Sequence, residues 1–224
     1  MLNPNSVSLN QFPTASFLYT RRLLMIAWMS VILGLAAEAM LVLLAAAFGS
    51  AGATNTFLAD AAPKISWSML VCVGLSLGTT AAPSVRARTI GLLGMLSAPA
   101  AFIVAKMVHR AFTQGIAIEP TLAPSPIVVA MLKGIEYGAL GVAAGLLANK
   151  PWAGIGVYAV LGFVTGLIFG CSIVAYTLGA FHADISAAQI VGAVVNELLN
   201  PTGCAMILYA SSTLGKRLAA VSSK

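Results

Sequence analysis

Charge is what this sequence has least of. Twelve Lys or Arg and six Asp or Glu occur in 224 residues, 8% in all. A soluble domain carries about 25%, so this chain cannot cover a water-facing surface. Cysteine is scarce as well. Cys72, Cys171 and Cys204 lie far apart with no C-x-x-C spacing, which speaks against a disulfide framework or a zinc site and for small buried packing residues. The two histidines, His109 and His182, are expected in water near the outer surface with Glu119 and Asp184, not as metal ligands. Paired histidines on facing spans, as a buried haem would need, are missing. So are a Gly-rich phosphate loop, a nucleophile elbow, an H-E-x-x-H motif and any soluble segment long enough for an ATPase. No cofactor, no metal and no enzyme activity are expected, and nucleotide-driven work would need a partner.

What is there is apolar length. The chain is 59% hydrophobic with a mean hydropathy of +0.96. A span needs about 20 apolar residues to cross roughly 30 Å of hydrocarbon. Six stretches qualify: 24–48, 65–82, 89–108, 126–148, 152–177 and 188–213. In an open chain only helices satisfy every backbone polar group within the span, and the alternation of a transmembrane barrel is absent. The expected fold is all-α, a polytopic bundle of six transmembrane helices forming a single domain over 1–224. Residues 1–20 read as a polar N-terminal tail near the membrane surface, with Phe12, Phe17 and Tyr19 as interface anchors. The first apolar run is too long for the core of a cleavable signal peptide.

The net charge of +6 follows the membrane rather than forming a nucleic-acid patch. Arg21, Arg22, Arg86, Arg88, Lys150, Lys216, Arg217 and Lys224 fall on one side if the spans alternate, leaving Lys64, Lys106 and Arg110 on the other. The positive-inside rule then places both termini in the cytoplasm, most simply of a plasma (inner) membrane. The proline-rich stretch 109–125 divides the chain into two halves of three spans. Glu38 and Glu136 are 98 positions apart, and Pro99 and Pro201 are 102 apart. These markers admit two inverted three-helix halves with helix breaks at Pro99 and Pro201, a common transporter plan.

Three carboxylates lie near mid-span: Glu38, Glu136 and Glu197. Lys133 is one turn from Glu136 and can pair with it. An ionised side chain at mid-membrane costs at least about 2.5–3.5 kcal/mol. Three carboxylates against one ammonium leave an excess of negative charge, so a proton, a cation or water belongs among them. On a helical wheel Gln189, Ala193, Asn196, Glu197, Asn200, Cys204 and Ser211 form one polar stripe within about 100°. Pro201 has no N–H and releases the carbonyl four residues earlier, that of Glu197. Asn196, Asn200, the Glu197 carboxylate and its carbonyl are expected to form an oxygen-rich site for a cation, a proton or a polar ligand. The plainer account is that Asn, Gln and Ser join helices by hydrogen bonds, Pro201 makes only a kink and Lys133–Glu136 is a static ion pair.

Glycines spaced by four, Gly134–Gly138, Gly141–Gly145 and Gly162–Gly166–Gly170, permit close helix approach. They suggest a tight bundle or an oligomer interface, so the expected partners are the lipid bilayer and either further copies of the chain or another membrane protein. The sequence reads as a small transport protein moving a proton, a cation or a small polar solute. The alternatives are a non-catalytic membrane-embedded subunit of a larger complex and a six-span substrate-binding subunit of a vitamin importer, which would have a similar size and span number.

Overall fold

The computed structural model describes residues 12–48, 57–113, 125–179 and 186–222. Six helices in it are long and apolar enough to cross a membrane, and the described residues contain no strand. We number them α1 (Phe12–Ala47), α2 (Phe57–Gly78), α3 (Arg86–Thr113), α4 (Pro126–Leu147), α5 (Ile155–Gly179) and α6 (Ala187–Ser222). The chain is an integral membrane protein with an all-α six-helix bundle, as its composition requires.

The helices outrun the apolar runs. The backbone of α1 is already helical from Phe12, so much of the expected tail continues the first span. The second span is Phe57–Gly78 rather than 65–82, which moves Lys64 from a loop into a helix. Hydropathy places the end of a span where charge begins. A helix stops only where its hydrogen-bond ladder stops, and a charged residue with a buried partner does not end it. His182, Asp184 and Glu119 lie outside the described residues.

Neighbours in sequence are neighbours in space. α2 packs on α1 and α3, α3 on α4, and α5 on α6. α6 also closes on α1 and touches α2 and α4. Two contacts fix the register of α2 and α6. Cys72 Sγ lies 2.8 Å from Cys204 Sγ, and Thr79 Oγ1 lies 3.4 Å from Ser211 Oγ. Both pairs are offset by 132 residues, so the two helices run parallel with one heptad between contacts. At the same end Arg22 donates to Thr79 Oγ1 and, at 2.9 Å, to Ser211 Oγ. The start of α1 therefore meets the last turns of α2 and α6, as alternating spans demand.

Neither expected helix break is found. α3 runs through Pro99 and α6 through Pro201 without interruption. The irregularity sits in α5, as a π-helical turn at Gly166–Gly170. This is the glycine ridge, and it packs on α6 around Pro201. A Cβ on Gly166 would stand 2.6 Å from the Glu197 carbonyl oxygen and 2.7 Å from Pro201 Cγ, and one on Gly170 would stand 2.7 Å from Glu197 Cβ. Only glycine lets the two backbones approach so closely.

Candidate functional site

Five charged side chains gather toward one end of the bundle. Lys133 Nζ donates to Glu136 Oε2 at 2.9 Å and also to Glu197 Oε2, joining α4 to α6. Lys64 Nζ donates to Glu38 Oε2, joining α2 to α1. Counted inward from the helix ends on that side, all five lie at a depth of about 10–15 Å, at 1.5 Å per residue.

Glu38, Glu136 and Glu197, which the sequence places at a common depth, converge only in part. Glu136 and Glu197 share one ammonium, while Glu38 has its own. Lys64, assigned to a loop by its charge, is a member of the site. The set is three carboxylates and two ammoniums, so the formal excess is one negative charge rather than two. Glu38 and Glu136, the pair that hinted at a repeat, occupy unlike settings. One pairs with the next helix and the other with its own.

Beside these groups is a cavity of about 380 Å³ lined from α1, α2, α3, α4 and α6. It reaches from Gly192, about 8 Å inward, to Asn200, about 20 Å inward. Lys64, Lys133, Asn196, Glu197 and Asn200 supply its polar wall, and Leu41, Pro63, Trp67, Phe102, Ala105 and Ala193 its apolar wall. Trp67 packs edge-on against Phe102 and Tyr137, at centroid distances of 6.5 and 5.7 Å. Lys133 Nζ stands 5.7 Å from the Trp67 ring and 5.9 Å from the Tyr137 ring. The buried ammonium therefore rests on two carboxylates and two aromatic faces. Deeper in, Val71, Cys72, Leu75, Leu140, Cys204 and Leu208 form a dense apolar core.

The stripe on α6 holds, with changes of role. Ala193, Asn196, Glu197 and Asn200 line the cavity. Cys204 and Ser211 continue the stripe but face α2, while Gln189 Oε1 accepts from Ser186 at the helix start. Asn200 turns back on its own helix, donating to the Asn196 carbonyl at 3.1 Å. The Glu197 carbonyl has a neighbour on α5. It lies against Gly166, because the open side of the proline turn is the side on which α5 packs. Pro99 likewise packs on α4 beside Gly134.

The cysteines are not uniform packing residues. Cys72 and Cys204 are fully buried and face each other, whereas Cys171 is exposed on α5. Among the described residues no three His, Cys, Asp or Glu side chains gather as metal ligands would. Among the described residues, four buried polar atoms at the site have no hydrogen-bond partner: Trp67 Nε1, Glu136 Oε1, the Tyr137 hydroxyl and Asn200 Oδ1. Such atoms are rare in the interior of a folded chain and mark places where a ligand, an ion or water completes the bonding.

Fold and site together define a polytopic membrane protein with a charged, aromatic-walled cavity part-way across the bundle. No protein-family model, no curated protein and no solved structure matches the chain.

Proposed function

We propose that the chain is a small membrane transport protein that takes a polar solute, with or without a proton, into the cavity between α2, α4 and α6. One observation carries the reading. Five ionisable side chains, three of them buried and Lys64 and Glu197 partly so, cluster in and directly behind the wall of a cavity that is backed by apolar core. Ionisable groups inside a membrane are costly and mark substrate or proton pathways. A charged site part-way across the bundle is consistent with a carrier whose cargo site lies within the membrane. Lys133, Glu136 and Glu197 handle the charge, Asn196 and Asn200 add polar contacts, and Lys64 with Glu38 forms the opposite wall. No bond is made or broken, so the role is not enzymatic.

The charge distribution supports an inner-membrane orientation with both termini cytoplasmic, and the cavity then lies nearer the outer side. A cysteine replacing Thr54, in a Cys171→Ser background, should react from outside with an impermeant thiol reagent, and one replacing Val85 should not. The reverse pattern would turn the carrier over. For the function itself, purified protein in vesicles with an internal pH dye should carry solute-dependent proton flux. Glu197→Gln should abolish that flux while leaving the elution profile of the protein unchanged.

A second reading has one observation in its favour. Each lysine ties helices together, α1 to α2 and α4 to α6, which is also what polar residues do in a passive subunit. In that case Glu197→Gln would change nothing but stability.

A further inference from the structure

The charges of the cavity are not mixed evenly through its wall. Each lysine has a carboxylate behind it. Glu38 and Glu136 do not line the cavity, while Lys64 and Lys133 do. Side-chain exposure runs the same way: 22% for Lys64 against 5% for Glu38, and 7% for Lys133 against 0% for Glu136. Glu197, at 12%, is the carboxylate on the wall. A solute entering therefore meets two ammoniums and one carboxylate, and the near wall is positive although the whole set is negative. Coulomb energies fall with distance and rise as water is excluded, so the near groups govern.

From this we propose that the cavity binds a small organic anion, a monocarboxylate with an apolar body, which replaces Glu197 at the Lys133 ammonium as Glu197 takes up a proton. The proposal rests on the transport reading and names its cargo.

The apolar wall sets the body of the ligand. Trp67 and Phe102 present ring faces or edges, and Leu41 and Pro63 add aliphatic surface to the same wall. A bare inorganic ion would leave this wall unused. The volume of about 380 Å³ falls at the small end of the range of ligand sites, roughly 300–1,000 Å³.

Lys133 already holds two carboxylates, so exchanging one for the carboxylate of a ligand preserves its surroundings. If Glu197 stayed ionised, three carboxylates would crowd one ammonium, a severe penalty out of water. A proton moving from cavity water onto Glu197 cancels the charge that the ligand brings, and the net charge of the site stays constant. The other groups around Glu197 do not compete for that role. On α4 it faces Lys133, Glu136 and Tyr137, and on α2 Lys64 lines the same cavity. On α1, Glu38 is engaged by Lys64. Cys204 lies a level deeper on α6 itself. α3 lines the cavity with Phe102 and Ala105, and α5 meets Glu197 with glycine. Glu136 already shares Lys133 from behind the wall, which leaves Glu197 as the carboxylate that solute and water both reach.

The test is calorimetry on the purified full-length protein with three probes of one shape: benzoate, benzamide and benzylammonium. Benzoate should bind saturably, at least about tenfold more tightly than either of the others. Its affinity should rise as pH falls, by up to about tenfold per pH unit, because one proton is taken up with each anion. Glu197→Gln, which mimics the protonated acid, should keep benzoate binding and lose the pH dependence. Lys133→Gln should lose benzoate binding. If that variant does not fold, Lys133→Gln combined with Glu136→Gln removes the unpaired buried charge and makes the same measurement. Equal or tighter binding of benzylammonium overturns the proposal. So does the absence of saturable benzoate binding at millimolar concentration, or its loss in Glu197→Gln. Benzoate bound but never carried across vesicles would sink the transport reading and leave the anion site standing. Flux of protons or cations through Glu197 without benzoate binding would do the opposite.

Discussion

Lys64 and Lys133 lie at similar depth on one cavity, yet they are held differently. Lys64 has a single carboxylate, Glu38, contributed by the helix just before its own. Lys133 has two, one on its own helix and one from α6. The first cluster is neutral by itself and can stay locked through any cycle. The second carries the surplus negative charge of the site, so it is the one to which the proposed function assigns the proton and the ligand. They differ in reach as well. Lys64–Glu38 reinforces a helix pair that packs closely in any case, whereas α4 and α6 touch little elsewhere. Lys133–Glu197 is therefore a principal tie between α4 and α6. In the proposed carrier, a proton on Glu197 would release this tie and free α4 from α6.

The largest effect should come from removing the shared ammonium. Lys133→Met leaves Glu136 fully buried and unpaired, with Glu197 beside it. Breaking a buried pair from one side costs about 3–5 kcal/mol. Thermal unfolding in detergent should show a large loss of stability, or the protein should fail to accumulate. Lys64→Met should cost clearly less, about 1–2 kcal/mol, because Lys64 is partly open to water and an exposed pair is weak. Equal losses in the two variants would erase the distinction between the clusters.

How much of this the sequence carries depends on how local the signal is. The six spans are legible because a run of about 20 apolar residues has few other uses. Lys133–Glu136 is legible because three residues is one helical turn. Lys64 is not, since a lysine at the edge of an apolar run reads as a loop until Glu38 is known to lie opposite. Cys72–Cys204 needs the parallel register of α2 and α6, which only packing supplies. Pro201 foretells a released carbonyl at Glu197 but not its direction. That depends on Gly166, which lets α5 pack against this carbonyl. The glycine ridge was visible as a close-packing surface, but not the helix it would meet.

The next effect concerns that ridge. Gly166→Ala places a methyl 2.6 Å from the Glu197 carbonyl oxygen, so α6 must move away from α5. Overpacking of this kind costs about 1–3 kcal/mol. The shift displaces Glu197 relative to Lys133 and leaves Lys64–Glu38 alone. Solute-dependent flux should fall, while the loss of stability on adding Lys64→Met should be unchanged. A Gly166→Ala protein with normal stability and flux would show that the close contact between α5 and α6 is dispensable.

The smallest effect is expected when both partners of the neutral cluster are replaced together. Lys64→Met alone leaves Glu38 buried without its ammonium, and Glu38→Gln alone leaves an ammonium on the cavity wall without its counter-charge. Together they exchange an ion pair for an amide and a thioether of similar size. Such replacements are often neutral or mildly stabilising, because two charges no longer have to leave water. The double variant should unfold within about 0.5 kcal/mol of the parent, so that the two single losses fail to add, as contacting residues do in a double-mutant cycle. Flux of protons should persist, since the surplus charge at Lys133, Glu136 and Glu197 is untouched. Affinity for an anion should drop several-fold, since one of the two ammoniums on the wall is gone. If the double variant instead lost proton flux altogether, the two clusters would be one coupled unit, and the proton would have to be assigned to all five groups together rather than to Glu197.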